Sequence, residues 1–319
     1  MAYRSDPQIF TDAYILYLVG QYQKAYDLLT EAGPEYAKEN SRVAEWRMDI
    51  AARLGKMELA EEILEEALNA GYFYGEHALR MDEDMQAMQG RPLFEALVKR
   101  NFELLAEAQK KATPKLEIIN PGKPGIDGKP LLMALHGNSS NAERFKDYWS
   151  ALAGSEWLVA LPQSSQVNGR DIFVWNDMTV FEEELKAHYK LLNKEHAIDR
   201  NKTIISGFSK GGHAAIEAAL RGYFSIKGFL AVAPYIGDRD AILPLLDSIE
   251  NKQLRGYFLL GEKDEDCTPG ATWLCEELVK RGFACEMKVT GNLVHEFPDD
   301  FDTILPEILK FILLDTGGE

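Results

Sequence analysis

Two textures of hydrophobic and polar positions divide this chain. In residues 1–112 apolar side chains recur at helical spacing among Ala, Leu, Glu and Lys, and the valine and isoleucine runs that mark strands are scarce. This half reads as helical throughout. The stretch "TPKLEIINPGKPGIDGKP" then brings turn residues, with one short strand expected at 116–120 and a turn around Gly122 to Gly128. From Leu131 onward the apolar residues gather into short unbroken runs: "LLMALHG" (131–137), "WLVALP" (157–162), "TIISGF" (203–208), "GFLAVAP" (228–234), "GYFLLGE" (256–262) and "CEMKVT" (285–290). Helical segments separate them, and one more follows at "DDFDTILPEILKFILL". Unbroken apolar strands alternating with helices predict an α/β unit, a mainly parallel sheet with helices on both faces. The expected organisation is an all-α domain over 1–112 and an α/β domain over 113–319.

The helical half repeats itself. "GQYQKAYDLLTEA" begins at Gly20 and "GKMELAEEILEEA" at Gly55, an offset of 35 residues. Gly20 aligns with Gly55, Tyr22 with Met57, Ala25 with Ala60, Leu28 with Ile63, Leu29 with Leu64 and Ala32 with Ala67. Small residues at fixed positions let paired helices approach closely. The pattern resembles the tetratricopeptide repeat, whose period is about 34 residues. The likeness covers residues 6 to 70, and the usual tryptophan and proline positions are not filled. "RPLFEALVKRNFELLAEAQKK" is expected to cap the stack.

Candidate chemistry begins at "GFSKGG", where an apolar strand runs into a helix-forming "HAAIEAAL". A serine hydroxyl is a poor nucleophile at neutral pH and needs a base and oxyanion donors. In a strand–Gly-x-Ser-x-Gly–helix turn, glycines two before and two after the serine keep side chains out of a crowded bend. Gly207 and Gly211 stand in those places around Ser209. The short motif by itself fits a nucleophile's turn and an ordinary glycine-rich strand–helix turn alike.

Partners elsewhere in the chain separate these readings. With the order nucleophile, acid, histidine, His295 alone of the six histidines follows an acid that itself follows Ser209. It sits in "GNLVHEFPDD", past the last strand and before the last helix. The acid belongs just past a strand, and "GYFLLGEKDEDC" offers Asp264, with Asp266 as the fallback. The backbone N–H groups of Lys210 and of Asn138, after the 131–137 run, are the expected oxyanion donors. His136 is expected to be structural. Trp175 and Phe173, in the long polar loop "PQSSQVNGRDIFVWNDM", either line a substrate pocket or, for the tryptophan, simply pack.

Together "LLMALHGNSSNAE", "GFSKGG", "GEKDEDCTPG" and "GNLVHEFP" resemble the α/β-hydrolase superfamily. Within it the likeness is to the phospholipase/carboxylesterase and dienelactone-hydrolase group, over residues 113 to 315. The resemblance implies the α/β-hydrolase sheet, Ser209 as nucleophile, Asp264 as acid and His295 as base. Two departures stand out. Lys210 replaces a common glutamine, and Cys267-Thr268 stands where the group usually has Val-Pro, which keeps Asp266 beside Asp264 as a candidate acid.

Composition narrows the partners. Hydrophobic residues make up 46% of the 319 residues and charged ones 27%, ordinary for a globular protein, and the net charge is −16. An acidic surface repels phosphate backbones and anionic headgroups, so neither nucleic acid nor membrane is an expected partner. Three cysteines without CxxC spacing argue against a disulfide framework or a zinc site, and the N-terminal stretch has no signal-like apolar core. The expected compartment is the cytoplasm. The leading function is hydrolysis of a small-molecule carboxylic ester through an acyl-enzyme, with no metal or cofactor. An amide or peptide hydrolase with the same triad is the alternative. A third reading makes the chain a helical scaffold with secondary or no hydrolase activity, its N-terminal helices meeting a protein partner or a second copy of the chain.

Overall fold

A computed structural model describes residues 8–32, 40–123, 128–138, 140–249 and 253–314. The expected turn around Gly122 to Gly128 lies partly outside the described residues. The chain divides into two compact units, one of Met1–Ala112 with Val167–Ile172, the other of Thr113–Gln166 with Phe173–Glu319.

The first unit contains α1 (Gln8–Leu18), α2 (Tyr22–Ala32), α3 (Asn40–Arg53), α4 (Met57–Asn69) and α5 (Pro92–Lys111). The sequence repeat is a structural one. Gly20 and Gly55 adopt φ of 74° and 75°, and each terminates a helix in the same way. The N–H groups of Gly20 and Gln21 donate to Tyr17 O and Leu16 O at 2.9 and 2.8 Å. Those of Gly55 and Lys56 donate to Ala52 O and Ala51 O, both at 2.9 Å. A left-handed helix terminus of this kind is open to glycine because it has no Cβ. A Cβ at either position would meet nothing within 4 Å, so the requirement is purely conformational. Gly55→Ala is accordingly expected to cost about 1 kcal/mol, read as a lowered thermal midpoint with unchanged circular dichroism.

Two features of this unit have no apolar periodicity to announce them. Residues 77–88 form short turns, a π-helical one at His77–Met81 and a 3-10 one at Gln86–Met88. Val167–Ile172, part of the long polar loop that the sequence assigns to the second half, groups instead with the helices. Its backbone does the work: Gly169 bridges Tyr74, and the Arg170 N–H donates to Phe73 O at 3.3 Å.

The second unit is built on seven strands, β1 (Lys115–Pro121), β2 (Lys129–Leu135), β3 (Leu158–Gln163), β6 (Ile198–Phe208), β7 (Gly228–Val232), β8 (Arg255–Gly261) and β9 (Ala284–Thr290). Two short strands, β4 (Val167–Gly169) and β5 (Ile172–Phe173), pair separately. The sheet order is β1-β3-β2-β6-β7-β8-β9, with β1 antiparallel to β3 and every other pairing parallel. All the apolar runs lie in this sheet. β6 starts ahead of its run, because Asp199 to Lys202 stay extended although polar. The inner strands are buried along almost their whole length, whereas β1 and β9 are mostly half-buried or exposed and carry Lys115, Glu117, Glu286 and Lys288, charges that blunt an open edge.

Helices cover both faces. α7 (Met178–Glu195), α8 (Lys210–Arg221), α9 (Arg239–Ser248) and α10 (Thr268–Lys280) share one core with Met133, Ile205, Phe229 and Phe258 of the strands. The short α6 (Ala142–Phe145) and α11 (Phe301–Leu313) belong to the other face, where Trp149, Phe297 and Phe301 pack edge to face. No helix of the described residues is long and apolar enough to cross a membrane.

Candidate active site

Ser209 is the hinge between β6 and α8. Its φ of 54° and ψ of −121° are strained for a residue with a side chain, and three backbone bonds hold it there. Its N–H donates to Val232 O at 3.0 Å, and its carbonyl accepts from His213 N and Tyr235 N, both at 3.1 Å. The flanking glycines are obligatory. A Cβ on Gly207 would overlap Gly211 O, and one on Gly211 would overlap His136 O and stand 2.6 Å from Leu135 O. The turn is therefore packed directly against the end of β2.

His295 follows β9 on a loop fastened to the loop after β8. Glu262 N donates to Thr290 O at 2.9 Å, and Lys263 N to Leu293 O at 2.8 Å. Asn292 N donates to the Glu262 carboxylate at 3.0 Å. Gly261 has no room for a Cβ beneath this loop, whose Leu293 and Val294 carbonyls lie directly over it. These bonds bring His295 Nδ1 to 2.6 Å from Asp264 Oδ2. Asp264 is 5% exposed, and its other oxygen accepts from Cys267 N at 3.2 Å. Asp266 is exposed, so of the two candidate acids Asp264 is the one bonded to the histidine. The other imidazole nitrogen, His295 Nε2, is buried and makes no hydrogen bond, so no Ser209–His295 bond is formed. The ring lies 4.7 Å from that of Phe208, the residue immediately before Ser209.

The loop after β2 is held by its own side chain. Asn138 Oδ1 accepts from Trp175 N at 3.0 Å, and Asn138 Nδ2 donates to Asn176 Oδ1 at 3.0 Å. Trp175 Nε1 donates to His136 O at 2.8 Å. A Cβ on Gly137 would come within 2.9 Å of the Phe208 ring, which places this loop against the serine turn. The His136 ring is fully buried and bonded through Nδ1 to Gly137 O at 2.8 Å; burial lowers its pKa to about 4, so it is a neutral structural imidazole.

Trp175 takes the packing alternative. It is 1% exposed and sits in the core, 4.8 Å from the His136 ring and 5.4 Å from Phe181. Its place in a polar loop is compatible with a pocket wall and with core packing alike, and its ring fills the space between that loop and α7. Phe173 is half-buried and its N–H donates to Ser140 O at 3.0 Å; the structure does not bring it to the Asp264–His295 pair. The Lys210 side chain is also half-buried. Desolvation pulls its ammonium pKa down, and Glu217 opposes that shift. Phe208 lies inside the motif, but an apolar residue ending a strand carries no chemical signal in the sequence.

Asp264, Cys267 and His295 bring their ligand atoms within 4.8 Å of one another, the donor set of a thiophilic divalent ion. The Asp264–His295 hydrogen bond already engages two of the three. Burial and the neighbouring Asp264 carboxylate raise the Cys267 pKa, so the thiol stays protonated.

The architecture has solved counterparts. An uncharacterized protein from Bacillus cereus ATCC 10987 is 28% identical, with a TM-score of 0.55 over 96% of this chain and 98% of its own. Esterase PE8 is 18% identical at a TM-score of 0.51, covering 61% of this chain and 99% of its own. The Bacillus cereus carboxylesterase is 18% identical at 0.51, covering 65% and 98%. This is the α/β-hydrolase fold. Residues 7–109 match a family described as the A/B hydrolase-like, N-terminal domain. No curated protein matches the chain. Within the α/β-hydrolase fold, Ser209 follows the central strand β6, Asp264 follows β8, and His295 follows β9.

Proposed function

We propose that this chain is a serine hydrolase that cleaves small carboxylic esters through an acyl-enzyme on Ser209. The observation that carries this reading is the turn itself: a non-glycine residue held at φ 54° between two glycines that leave no room for a Cβ. Strain of that kind clusters at functional sites, and here it falls on a serine. The Asp264–His295 bond supports the same reading, since a buried carboxylate on Nδ1 fixes the tautomer that leaves Nε2 as base.

In this mechanism His295 Nε2 takes the proton of Ser209 Oγ as the new Oγ–carbon bond forms. The Lys210 and Asn138 N–H groups receive the oxyanion, and the positive end of α8 favours it. The imidazolium, stabilised by Asp264, then gives its proton to the departing alkoxide and an alcohol leaves. Water enters, loses a proton to Nε2 and attacks the acyl carbon. The acid departs and Ser209 regains its proton.

A fluorophosphonate probe is expected to label the protein in a single adduct that maps to the peptide containing Ser209; an adduct mapping elsewhere would remove the proposal. Paired substrates with one acyl group separate ester from amide hydrolysis. The ester is expected to turn over and the amide to persist, and comparable turnover of both would transfer the assignment to the amidase alternative.

A further inference from the structure

The peptide that joins Ser209 to Lys210 has two ends that matter. The Ser209 carbonyl and the Lys210 N–H belong to one planar trans unit and point in opposite directions. Lys210 is the first residue of α8, so its N–H has no acceptor within the helix and suits the oxyanion. Whatever fixes the Ser209 carbonyl therefore also aims the Lys210 N–H.

Two donors hold that carbonyl, His213 N and Tyr235 N, both at 3.1 Å. The first makes the ordinary i+4 bond of α8. The second reaches across from the loop after β7. That loop is itself strained, with Ala233 at φ 42°, and Tyr235 is 45% exposed, so burial does little to keep its peptide in place.

The His213 side chain supplies the hold. Its Nδ1 stands 2.8 Å from Tyr235 O, and a carbonyl can only accept, so Nδ1 carries a proton and donates it. On the other side of the ring, Nε2 faces the Glu217 carboxylate at 3.5 Å, and Glu217 pairs with Arg221 Nε at 2.8 Å. The bonds close a circuit: His213 N on Ser209 O, Tyr235 N on the same oxygen, and His213 Nδ1 on Tyr235 O.

We propose that His213 is a positioning residue for the oxyanion site. Its Nδ1–H holds the Tyr235 peptide, and through it the Ser209–Lys210 peptide, so that the Lys210 N–H points at the developing negative charge. This part in catalysis depends on Ser209 being the nucleophile, as proposed; the clamp on the strained turn does not. An interaction made only in the transition state lowers kcat when it is lost and leaves KM nearly alone.

The test compares His213→Asn with His213→Gln in the full chain. Asparagine puts an amide nitrogen where Nδ1 was and can still donate to Tyr235 O. Glutamine reaches toward Glu217 and leaves the Tyr235 carbonyl without its donor. On a short p-nitrophenyl ester, kcat is expected to stay within about threefold of the wild type for asparagine and to fall about tenfold or more for glutamine, with KM changed by less than about threefold in both. Equal kcat in the two variants, or a loss confined to KM, would overturn the proposal. Thermal midpoints give a second readout that needs no turnover. Ser209→Gly relaxes the strained turn, and the rise in midpoint it brings is expected to shrink by about half or more in the His213→Gln background, where the turn is already released. The same rise in both backgrounds would overturn the clamp. If the wild type hydrolyses no ester, the hydrolase assignment fails and the midpoint comparison alone decides whether His213 holds the turn.

Discussion

Replacing Ser209 by alanine is expected to leave a folded chain whose turnover of a short p-nitrophenyl ester has fallen by a factor on the order of 10⁵ or more. The loss is large because nucleophile, base and acid act as one unit; what remains is the catalysis that oxyanion donors and binding can give to water. Alanine keeps the same strained φ of 54°, so the thermal midpoint should hardly move. Ser209→Gly is the informative companion. It is equally inactive, but glycine relaxes the left-handed turn, and stability should rise by about 1–3 kcal/mol. A rise in midpoint for glycine but not alanine identifies strain held at the nucleophile, separately from the loss of its hydroxyl. Substantial ester turnover by both variants would remove Ser209 from the mechanism.

Asp264→Asn is expected to give the second large effect, a fall in kcat of about 10⁴-fold with little change in KM. The asparagine amide can present an N–H to His295 Nδ1, which makes Nδ1 the acceptor and puts the imidazole proton on Nε2, where it blocks proton removal from Ser209. Asp266→Asn is the control. Asp266 is exposed, and its substitution should leave kcat within about twofold, since surface changes away from such networks are usually near neutral. Reversal of the two results would transfer the acid role to Asp266. Mutual geometry makes the contrast sharp: His295 Nδ1 lies 2.6 Å from Asp264 Oδ2, and loop bonds from Glu262, Lys263 and Asn292 hold that arrangement.

Much of the fold was legible because its signals are local. Unbroken apolar runs mark strands buried on both faces, and every such run lies in the sheet. The 35-residue repeat was visible because Gly20 and Gly55 serve the same left-handed helix end. Features without apolar periodicity were not visible. Asp199 to Lys202 stay extended in β6 where its register with β2 shifts, the β4–β5 pair is held by backbone bonds, and the 77–88 turns bury Leu79, Met85 and Met88 without a regular helical spacing. Trp175 was ambiguous for a related reason. A tryptophan in a polar loop reads the same whether it faces solvent or core, and only the His136 carbonyl that accepts its indole N–H decides between them.

The sequence by itself determined the order of strands and helices, the glycine-flanked turn at Ser209 and the eligibility of His295, because hydrophobic runs, left-handed turns and chain order are written in neighbouring residues. The tertiary structure decided what depends on distance through space. It set Asp264 rather than Asp266 against a histidine 31 residues away, turned Trp175 inward, placed Phe208 under the imidazole, and brought His213 Nδ1 to the Tyr235 carbonyl. Each of these is a meeting of groups from separate elements, fixed by packing that no stretch of sequence contains alone.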